Sequence, residues 1–165
     1  MVALGYGGEF RIRAQLVRSR NLPLCTEHLF STGVVRVVEV GEVVKRIVIP
    51  PYDRFNLSTF VVHNDTVYIG HFGGFEDEQG NTLGTVEEQF EQTLGNLQRA
   101  LREIDLGLEN MVRVTVMLRS IDDFTKMDEV WVRYFTEAAY PVRTTITTDF
   151  VDECCLVQID GVACF

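Results

Sequence analysis

The sequence predicts an α+β domain in which a mixed β-sheet is covered on one face by two helices. Three observations support this fold class. Two segments repeat apolar residues at helical spacing, five segments alternate apolar and polar residues as strands do, and from residue 58 onward their order is β-β-α-β-α-β-β. Because strands precede, separate and follow the helices, both helices are expected to pack on the same side of one sheet.

The first two of these strands, STFVVHND and TVYIGHF, are predicted to form a hairpin around a His63-Asn64-Asp65 turn. The first helix is predicted to begin at TVEE, where Thr85 and Glu88 have the spacing of a capping box. Its apolar stripe recurs at steps of three and four residues: Val86, Phe90, Leu94, Leu97 and Leu101. The stripe predicts a helix that buries one face against the sheet.

The segment MVRVTVMLRS predicts the next strand, since an apolar residue stands at every second position. The residues predicted to be buried are Val112, Val114, Val116 and Leu118. The second helix is predicted to open at Ser120, to carry the stripe Phe124, Met127, Trp131 and Tyr134, and to end before Pro141. Such an aromatic stripe is typical of a core. RTTITTDF and LVQIDGVA predict the last two strands.

Residues 1–45 are interpreted as a β-rich extension, and residues 46–165 as the main domain. In the extension, EFRIRAQLVR alternates, GVVRVVEV and VVKRIVIPP are rich in β-branched residues, and NLPLCTEHLF is predicted to be an irregular connector. Two alternatives remain open for this part of the chain, an added β-rich layer and a poorly packed extension.

The composition excludes several classes of protein. At 165 residues with 46% apolar and 24% charged residues, the chain suits one globular domain. No apolar run approaches the ~20 residues of a membrane helix. The first residues, MVALGYGGEF, lack the basic and apolar regions of a secretion signal. We therefore expect a cytoplasmic protein without a membrane partner.

The potential metal ligands and disulfide partners are few. They are Cys25, Cys154, Cys155, Cys164, His28, His63 and His71. The cysteines form no CxxC pair, and two adjacent cysteines cannot bridge without a strained ring, so free thiols in a reducing compartment are predicted. The histidines have no ligand spacing with one another or with the cysteines, so no metal site is predicted.

The charge is acidic and uneven along the chain. The net charge of −9 argues against a general nucleic-acid binder, which needs a basic face to neutralise phosphates. Residues 1–50 nevertheless hold seven Lys and Arg against four Asp and Glu, and residues 51–165 hold eight against twenty. The spacing of Arg11, Arg13, Arg18 and Arg20 fits an RNA-binding arm. The interpretation we favour is the polar side of a strand on an acidic body.

One longer pattern is specific enough to indicate a family. A helix is followed by ENMVRVTVMLRSIDDFTKMDEVWVRYF and then by YPVRTTI. From about Ile47 to Phe165, this order resembles the YjgF/RidA (Rid) family. The resemblance implies a chorismate-mutase-like subunit, a homotrimer whose sheets form a central barrel, and three ligand clefts between neighbouring subunits. It also implies cofactor-free hydrolysis of reactive enamines and imines, released by pyridoxal-phosphate enzymes, to 2-oxo acids and ammonia. The family also carries an endoribonuclease label.

Arg143 is the residue on which the functional prediction depends. The resemblance implies that it holds the carboxylate of a small-molecule substrate. A guanidinium keeps its proton and presents a planar fork that fits a carboxylate with two parallel hydrogen bonds. The alternative, from the residues alone, is that Arg143 pairs with an acidic neighbour at the end of its strand.

Five other positions depart from the family pattern. Gln158 replaces a glutamate that positions and activates water, Gly70 a serine, Leu57 a tyrosine, Thr145 a cysteine and Asp128 an asparagine. Gln158 can orient water by hydrogen bonding but cannot accept its proton. Thr145 can donate a hydrogen bond to a ligand. Five substitutions together indicate a remodelled cleft.

Two residues are candidate substitutes for the missing base. Asp160 follows Gln158 by two positions, so a strand places both side chains on one face. His71 lies beside Gly70, and an unperturbed imidazole has a pKa that suits proton transfer. The leading hypothesis is hydrolysis of 2-imino or enamine carboxylates, with Arg143 as anchor, Gln158 positioning water, and His71 or Asp160 transferring protons. The alternatives are a non-catalytic, carboxylate-binding regulatory trimer and RNA cleavage.

Overall fold

A computed structural model describes residues 25–30, 33–40 and 44–165 of the chain. In chain order the elements are β1 (Cys25–Phe30), β2 (Gly33–Val40), β3 (Val44–Val48), β4 (Phe60–His63), β5 (Thr66–Gly73), α1 (Val86–Arg102), β6 (Met111–Leu118), α2 (Phe124–Tyr134), β7 (Val142–Thr147) and β8 (Val157–Cys164). The strands form one sheet in the order β1-β2-β3-β4-β5-β8-β6-β7. The β6–β7 pair is parallel and every other pair is antiparallel, so the predicted mixed sheet is confirmed.

Both helices lie on one side of the sheet, as predicted. We call this side the covered face and the opposite side the open face. α1 packs on β5 and β8 and also against α2. The core lies between the helices and the sheet, and its largest fully buried side chains include Phe60, Phe72, Phe90, Leu94, Leu97, Leu101, Leu118, Met127 and Ile159. Each such side chain stabilises the fold by roughly 1.5–3 kcal/mol through removal from water.

The helix starts follow the predicted capping chemistry. Thr85 Oγ1 accepts a hydrogen bond from the Glu88 backbone N–H at 3.3 Å, and Glu88 Oε2 accepts one from the Thr85 N–H at 3.1 Å, so the capping box is confirmed. Ser120 Oγ accepts from the Asp122 N–H and starts a 3₁₀ turn that leads into α2 at Phe124. The described part of the chain has no helix long and apolar enough to cross a membrane.

Two predicted core positions are wrong. Phe124, at the start of α2, is 38% exposed. Val112 is 45% exposed, because the register between β6 and β8 shifts at Met111 and Arg113. Met111 takes the buried place instead, where its Cε lies close to Gly161: a Cβ added at Gly161 would be only 2.6 Å from that atom. The bulge therefore requires glycine at position 161, because a side chain there would collide with Met111. The two residues are distant in sequence, so strand periodicity does not reveal this requirement.

The described part of the N-terminal region extends the sheet. Residues 25–30, predicted as an irregular connector, form β1, because pairing with β2 fixes a segment whose own pattern is weak. β3 pairs with β4 and bridges the boundary that we placed between residues 45 and 46. The stretch EFRIRAQLVR and its arginines lie outside the described residues.

Three cysteines of the described chain are free thiols. Cys154, Cys155 and Cys164 are free, whereas the side chain of Cys25 lies outside the described atoms. Cys155 is fully buried before β8, and this burial raises the pKa of its thiol. The Cys155 thiol is therefore protonated at neutral pH and is a poor nucleophile.

Candidate functional site

The entry of β7 places Arg143 on the covered face. In the parallel register Arg143 stands beside Val114 and Thr145 beside Val116. Paired residues point to the same side of a sheet, and both valines are fully buried under the helices. Arg143 and Thr145 therefore project toward α2 at the edge of the described sheet.

Helix α2 builds the surroundings of the Arg143 side chain. Arg143 Nη1 donates a hydrogen bond to Asp128 Oδ1 at 2.6 Å. The guanidinium carbon lies 4.8 Å from the centre of the Trp131 ring and 5.7 Å from that of Phe124. Positions 124, 128 and 131 share one helix face, so a single helical stripe supplies all three contacts. We call these four residues the arginine corner.

The sequence predicted Trp131 and Phe124 only as core residues, but both rings also contact the guanidinium of Arg143. Trp131 does belong to the core, since it is 4% exposed and stacks on Phe135 with ring centres 4.1 Å apart. Its other contact is with a cation, which an aromatic face attracts. The helical spacing of Asp128 between the two rings is the sequence signal that could have revealed the corner.

Asp128 occupies only one part of the guanidinium. Among the described residues, Oε2 of Glu87 is the one fully buried side-chain nitrogen or oxygen without a hydrogen-bond partner. No nitrogen of Arg143 is therefore both fully buried and unpaired. Arg143 Nε and Nη2 donate to no described acceptor and are therefore open to solvent, consistent with a side chain that is 22% exposed. These two N–H groups form the side-on fork of arginine, the geometry that a carboxylate binds with two parallel hydrogen bonds.

The alternative of an acidic neighbour is therefore confirmed for one nitrogen of Arg143. The neighbour lies on α2 and not on the strand itself. With the Asp128 side chain 43% exposed, the ion pair is only partly removed from water, and such pairs stabilise a fold by about 0–1 kcal/mol. The main effect of the Arg143–Asp128 pair is electrostatic. The Asp128 carboxylate offsets the charge of the guanidinium, so the arginine corner as a whole carries no net charge.

A second group of candidates surrounds β8, and we call it the β8 cluster: Gln158, Asp160, Gly70 and His71. On β8, Gln158 and Asp160 alternate with the buried residues Val157 and Ile159 and so project from the open face. The predicted placement of Gln158 and Asp160 on one face is thus confirmed. Gln158 stands beside Gly73, where an added Cβ would be 3.4 Å from its Cγ.

A β-bulge brings Gly70 and His71 to this cluster. Ile69 pairs with Gly161 and Phe72 with Ile159, so Gly70 and His71 together stand opposite Asp160. The Gly70 N–H donates to the Thr59 carbonyl at 3.2 Å and ties the bulge to the segment before β4. His71 is exposed. Bulges redirect side chains locally, and this one gathers three of the predicted residues around one point of the sheet.

The two groups lie apart within one chain. Strand β6 separates β8 from β7, which places the two strands about 10 Å apart. Arg143 also projects from the covered face and Gln158 from the open face, so one copy of the chain does not bring both to one small ligand. Leu57 is half-buried in the loop before β4. In the range 44–165, no three His, Cys, Asp or Glu side chains are grouped as a metal site.

Comparison with known proteins identifies the family. The family model described as endoribonuclease L-PSP matches residues 50–165. A RutC-family protein from Synechocystis is 39% identical over 80 residues, which are 48% of this chain and 62% of that protein. The human 2-iminobutanoate/2-iminopropanoate deaminase is 28% identical over 107 residues, which are 64% of this chain and 77% of that protein.

The solved structures agree on the fold. A YjgF-family protein from Neisseria meningitidis superimposes with a TM-score of 0.63 at 19% identity, covering 73% of this chain and 93% of that one. The chain aligns with 62–63% of the length of the first three curated relatives. The segment matched by the family model contains both the arginine corner and the β8 cluster. The chain therefore belongs to the YjgF/RidA family, also described as endoribonuclease L-PSP.

Proposed function

We propose that this protein hydrolyses reactive 2-imino and enamine carboxylic acids to 2-oxo acids and ammonia. The observation that supports this most directly is the open Nε–Nη2 fork of Arg143, since Asp128 engages Nη1 alone. The name of the human relative, a 2-iminobutanoate/2-iminopropanoate deaminase, points to the same class of substrate.

Arg143 would bind the carboxylate of the substrate. Hydrogen bonds that involve charged groups contribute about 1.5–3 kcal/mol each, provided that water does not compete for them. The rings of Trp131 and Phe124 flank the guanidinium and reduce its access to water. Thr145 follows Arg143 on the covered face and offers a hydroxyl to the rest of the ligand.

The β8 cluster would carry the chemical step. Water adds to the imine carbon and loses a proton, the carbon–nitrogen bond breaks, and the nitrogen leaves as ammonia after gaining a proton. The side-chain carbonyl of Gln158 can orient the water, and Asp160 or His71 can accept and return the proton. Because a general base contributes typically 10²–10⁴-fold, a site with glutamine in that place is expected to be slow.

A complete site would need a second copy of the chain. Arg143 and Gln158 lie on opposite faces, and β7, which carries Arg143, is one of the two edge strands of the described sheet. The open face exposes large apolar residues, with Tyr68 at 51%, Val142 at 70% and Ile146 at 45%. Contiguous exposed apolar surface often marks an interface. We propose a cytoplasmic homotrimer, packed through these faces, with ligand clefts between neighbouring subunits.

A non-catalytic carboxylate-binding protein is the second candidate. It is favoured by Gln158, which cannot take a proton from water. RNA cleavage rests on the family description and on the arginines between positions 11 and 20, which lie outside the described residues. No contact in the described residues favours it, so it is not proposed.

The deciding experiment follows the imine itself. An amino-acid oxidase generates 2-iminobutanoate, and its disappearance is measured with and without this protein. We expect acceleration by the wild type, loss of that acceleration in Arg143→Ala, and retention in Arg133→Ala. Arg133 is a matched control, since it is an arginine of α2 whose exposed side chain pairs with Glu91. If the wild type leaves the imine lifetime unchanged but binds 2-oxobutanoate through Arg143, the second candidate replaces the first.

A further inference from the structure

We propose that Arg119 is a positioning residue for the chemical step. It would act through Gln158, by fixing the turn from which β8 starts and so the direction in which the Gln158 amide meets water. Gln89 of α1 would hold the same turn. This inference rests on the proposed function, specifically on Gln158 as the residue that orients the water.

Arg119 follows the last residue of β6 and binds the segment before β8 through three hydrogen bonds. Its Nε donates to the Cys155 carbonyl at 2.8 Å, and its Nη2 donates to the Asp152 carbonyl at 2.7 Å. Its backbone N–H donates to the Leu156 carbonyl at 2.9 Å. The guanidinium carbon also lies 5.5 Å from the centre of the Phe150 ring. Both donors of the side-on fork are therefore bound to main-chain oxygens of one turn, an arrangement that lysine does not reproduce.

Gln89 fixes the neighbouring backbone groups of this turn. Its fully buried amide donates to the Cys154 carbonyl and accepts from the Leu156 N–H, both at 2.8 Å. Arg119 and Gln89 together therefore bind main-chain groups of residues 152, 154, 155 and 156. Strand β8 begins directly afterwards, at Val157.

Strand pairing fixes this end of β8 only weakly on the β5 side. Gln158 pairs with Gly73, the last residue of β5, and the register between the two strands shifts between Phe72 and Ile69. The regular ladder on this side therefore covers two residue pairs before the bulge. The hydrogen bonds from Arg119 supply order that this short ladder lacks.

The side chain of Gln158 is itself connected to the turn. Burial raises the pKa of the Cys155 thiol, and hydrogen bonds to the Val157 carbonyl and to the Gln158 side chain oppose that rise. Movement of residue 155 therefore moves both the backbone and the side chain of Gln158. A displacement of about 1 Å can lower the rate of a catalysed step by about 10²-fold. Arg119 thus acts on the rate without touching the ligand.

The carboxylate anchor is independent of this turn. Among the described residues, the side-chain contacts of the Arg143 guanidinium are with α2. Loss of Arg119 should therefore change the rate of the chemical step and leave carboxylate binding intact. This separation distinguishes a positioning residue from one that only stabilises the fold.

The first test follows Gln158 directly and requires no turnover. The side-chain amide of Gln158 is identified in NMR spectra by its absence in Gln158→Met, and its motion is measured by nitrogen relaxation. We expect an ordered amide in the wild type and in Arg133→Met, and a more mobile one in Arg119→Met. Arg133 is the matched control, an exposed arginine of α2 that pairs with Glu91. Equal order of the Gln158 amide in the wild type and Arg119→Met overturns the inference.

The second test uses the imine assay to separate positioning from stability. Arg119→Met should lower kcat about tenfold or more and leave KM within about twofold, since Arg143 still binds the carboxylate. Arg119→Lys keeps the charge without the fork and should regain only part of that rate. Leu108→Ala is the control for lost stability, because Leu108 is buried just before the opposite end of β6. It should keep the wild-type kcat at temperatures where it is folded.

The two tests judge the inference and the proposed function separately. If Leu108→Ala loses as much of kcat as Arg119→Met does, or if Arg119→Met changes KM alone, Arg119 is not a positioning residue. If Arg119→Met does not fold, Arg119→Lys serves in both measurements. A wild type without imine turnover overturns the proposed function, and the NMR comparison then decides whether Arg119 fixes Gln158. Turnover that needs Arg143 but not Arg119 overturns only this inference.

Discussion

The two faces of the sheet hold their polar residues in different ways. On the covered face, Arg143 contacts Asp128, Trp131 and Phe124, and Trp131 is itself part of the core. On the open face, neither Asp160 nor His71 makes a side-chain hydrogen bond within the described residues. The proposed function therefore assigns carboxylate binding to residues that one chain already holds in place, and the chemical step to residues that an assembly would have to bring to them. Substitutions on the two faces should fail in different ways.

The largest effect is expected on the open face, and it is a gain. Gln158→Glu supplies a carboxylate that can take a proton from water, so we expect the rate of imine hydrolysis to rise by about 10²-fold or more. The measurement is imine disappearance in the coupled oxidase assay. The unfolding midpoint should stay unchanged, because residue 158 projects away from the core. Gln158→Met, of similar size without a hydrogen-bonding group, serves as the control.

If Gln158→Glu brings no gain in rate, the assignment of carboxylate binding to the covered face and of the chemical step to the open face is wrong. It would mean that position 158 does not meet the substrate even in the assembled protein. The carboxylate-binding candidate would then be favoured, provided that Arg143 still binds 2-oxobutanoate.

On the covered face the largest effect should be a loss of stability. Trp131→Ala removes a ring that is 4% exposed and stacks on Phe135, so we expect a cost of about 3–5 kcal/mol in the free energy of unfolding. Urea denaturation measures it. Val132→Ala, on the same helix but 54% exposed at that residue, should stay within about 0.5 kcal/mol. Equal costs for the two variants would show that the arginine corner does not rest on the core.

Local patterns predicted most of the covered face. The stripe of α1 and the alternation of β8 have strong periods, and their burial follows directly from those periods. In the α2 stripe Met127 and Trp131 are buried, whereas Phe124 is 38% exposed. Val112 was misplaced because the bulge at Met111 depends on Gly161, which is distant in sequence. The weak pattern of residues 25–30 did not predict a strand, because pairing with β2, and not the segment's own sequence pattern, fixes the strand there.

The site was harder to predict than the fold, since it depends on strand order. Arg143 and Gln158 could be named as candidates from their motifs, but nothing local to either shows that β6 lies between their strands or that they project from opposite faces. The contact between Arg143 and Asp128 likewise requires the packing of α2 against β7. Sequence patterns indicate which residues matter, and the topology decides which of them can meet.

A smaller effect tests how closely α1 packs on the sheet. A Cβ added at Gly74, just after β5, would lie 2.6 Å from the backbone nitrogen of Thr93 and 2.8 Å from the carbonyl carbon of Gln92. Neither backbone atom can move without shifting the helix, so Gly74→Ala should destabilise the protein by about 1–3 kcal/mol. Gly84→Ala is the matched control, because no atom lies within 4 Å of its added Cβ. A neutral Gly74→Ala would show a looser helix–sheet contact than the structure has.

The smallest effect on stability is expected for Asp160→Asn on the open face. Its side chain hydrogen-bonds to no described residue, so the free energy of unfolding should change by less than about 0.5 kcal/mol. Gln89→Leu provides the contrast. The Gln89 amide is fully buried, accepts from the Leu156 N–H at 2.8 Å, and donates to the carbonyls of Leu83 and Cys154 at 2.9 and 2.8 Å.

Gln89→Leu would leave those three backbone groups unsatisfied, at a cost of about 1–3 kcal/mol for each group that stays buried. Urea denaturation of both variants gives the comparison directly. An Asp160→Asn variant that loses more than about 1 kcal/mol would place Asp160 in a stabilising polar network. The open face would then hold its residues as firmly as the covered face does, and assembly would no longer be required to fix the chemical half of the site.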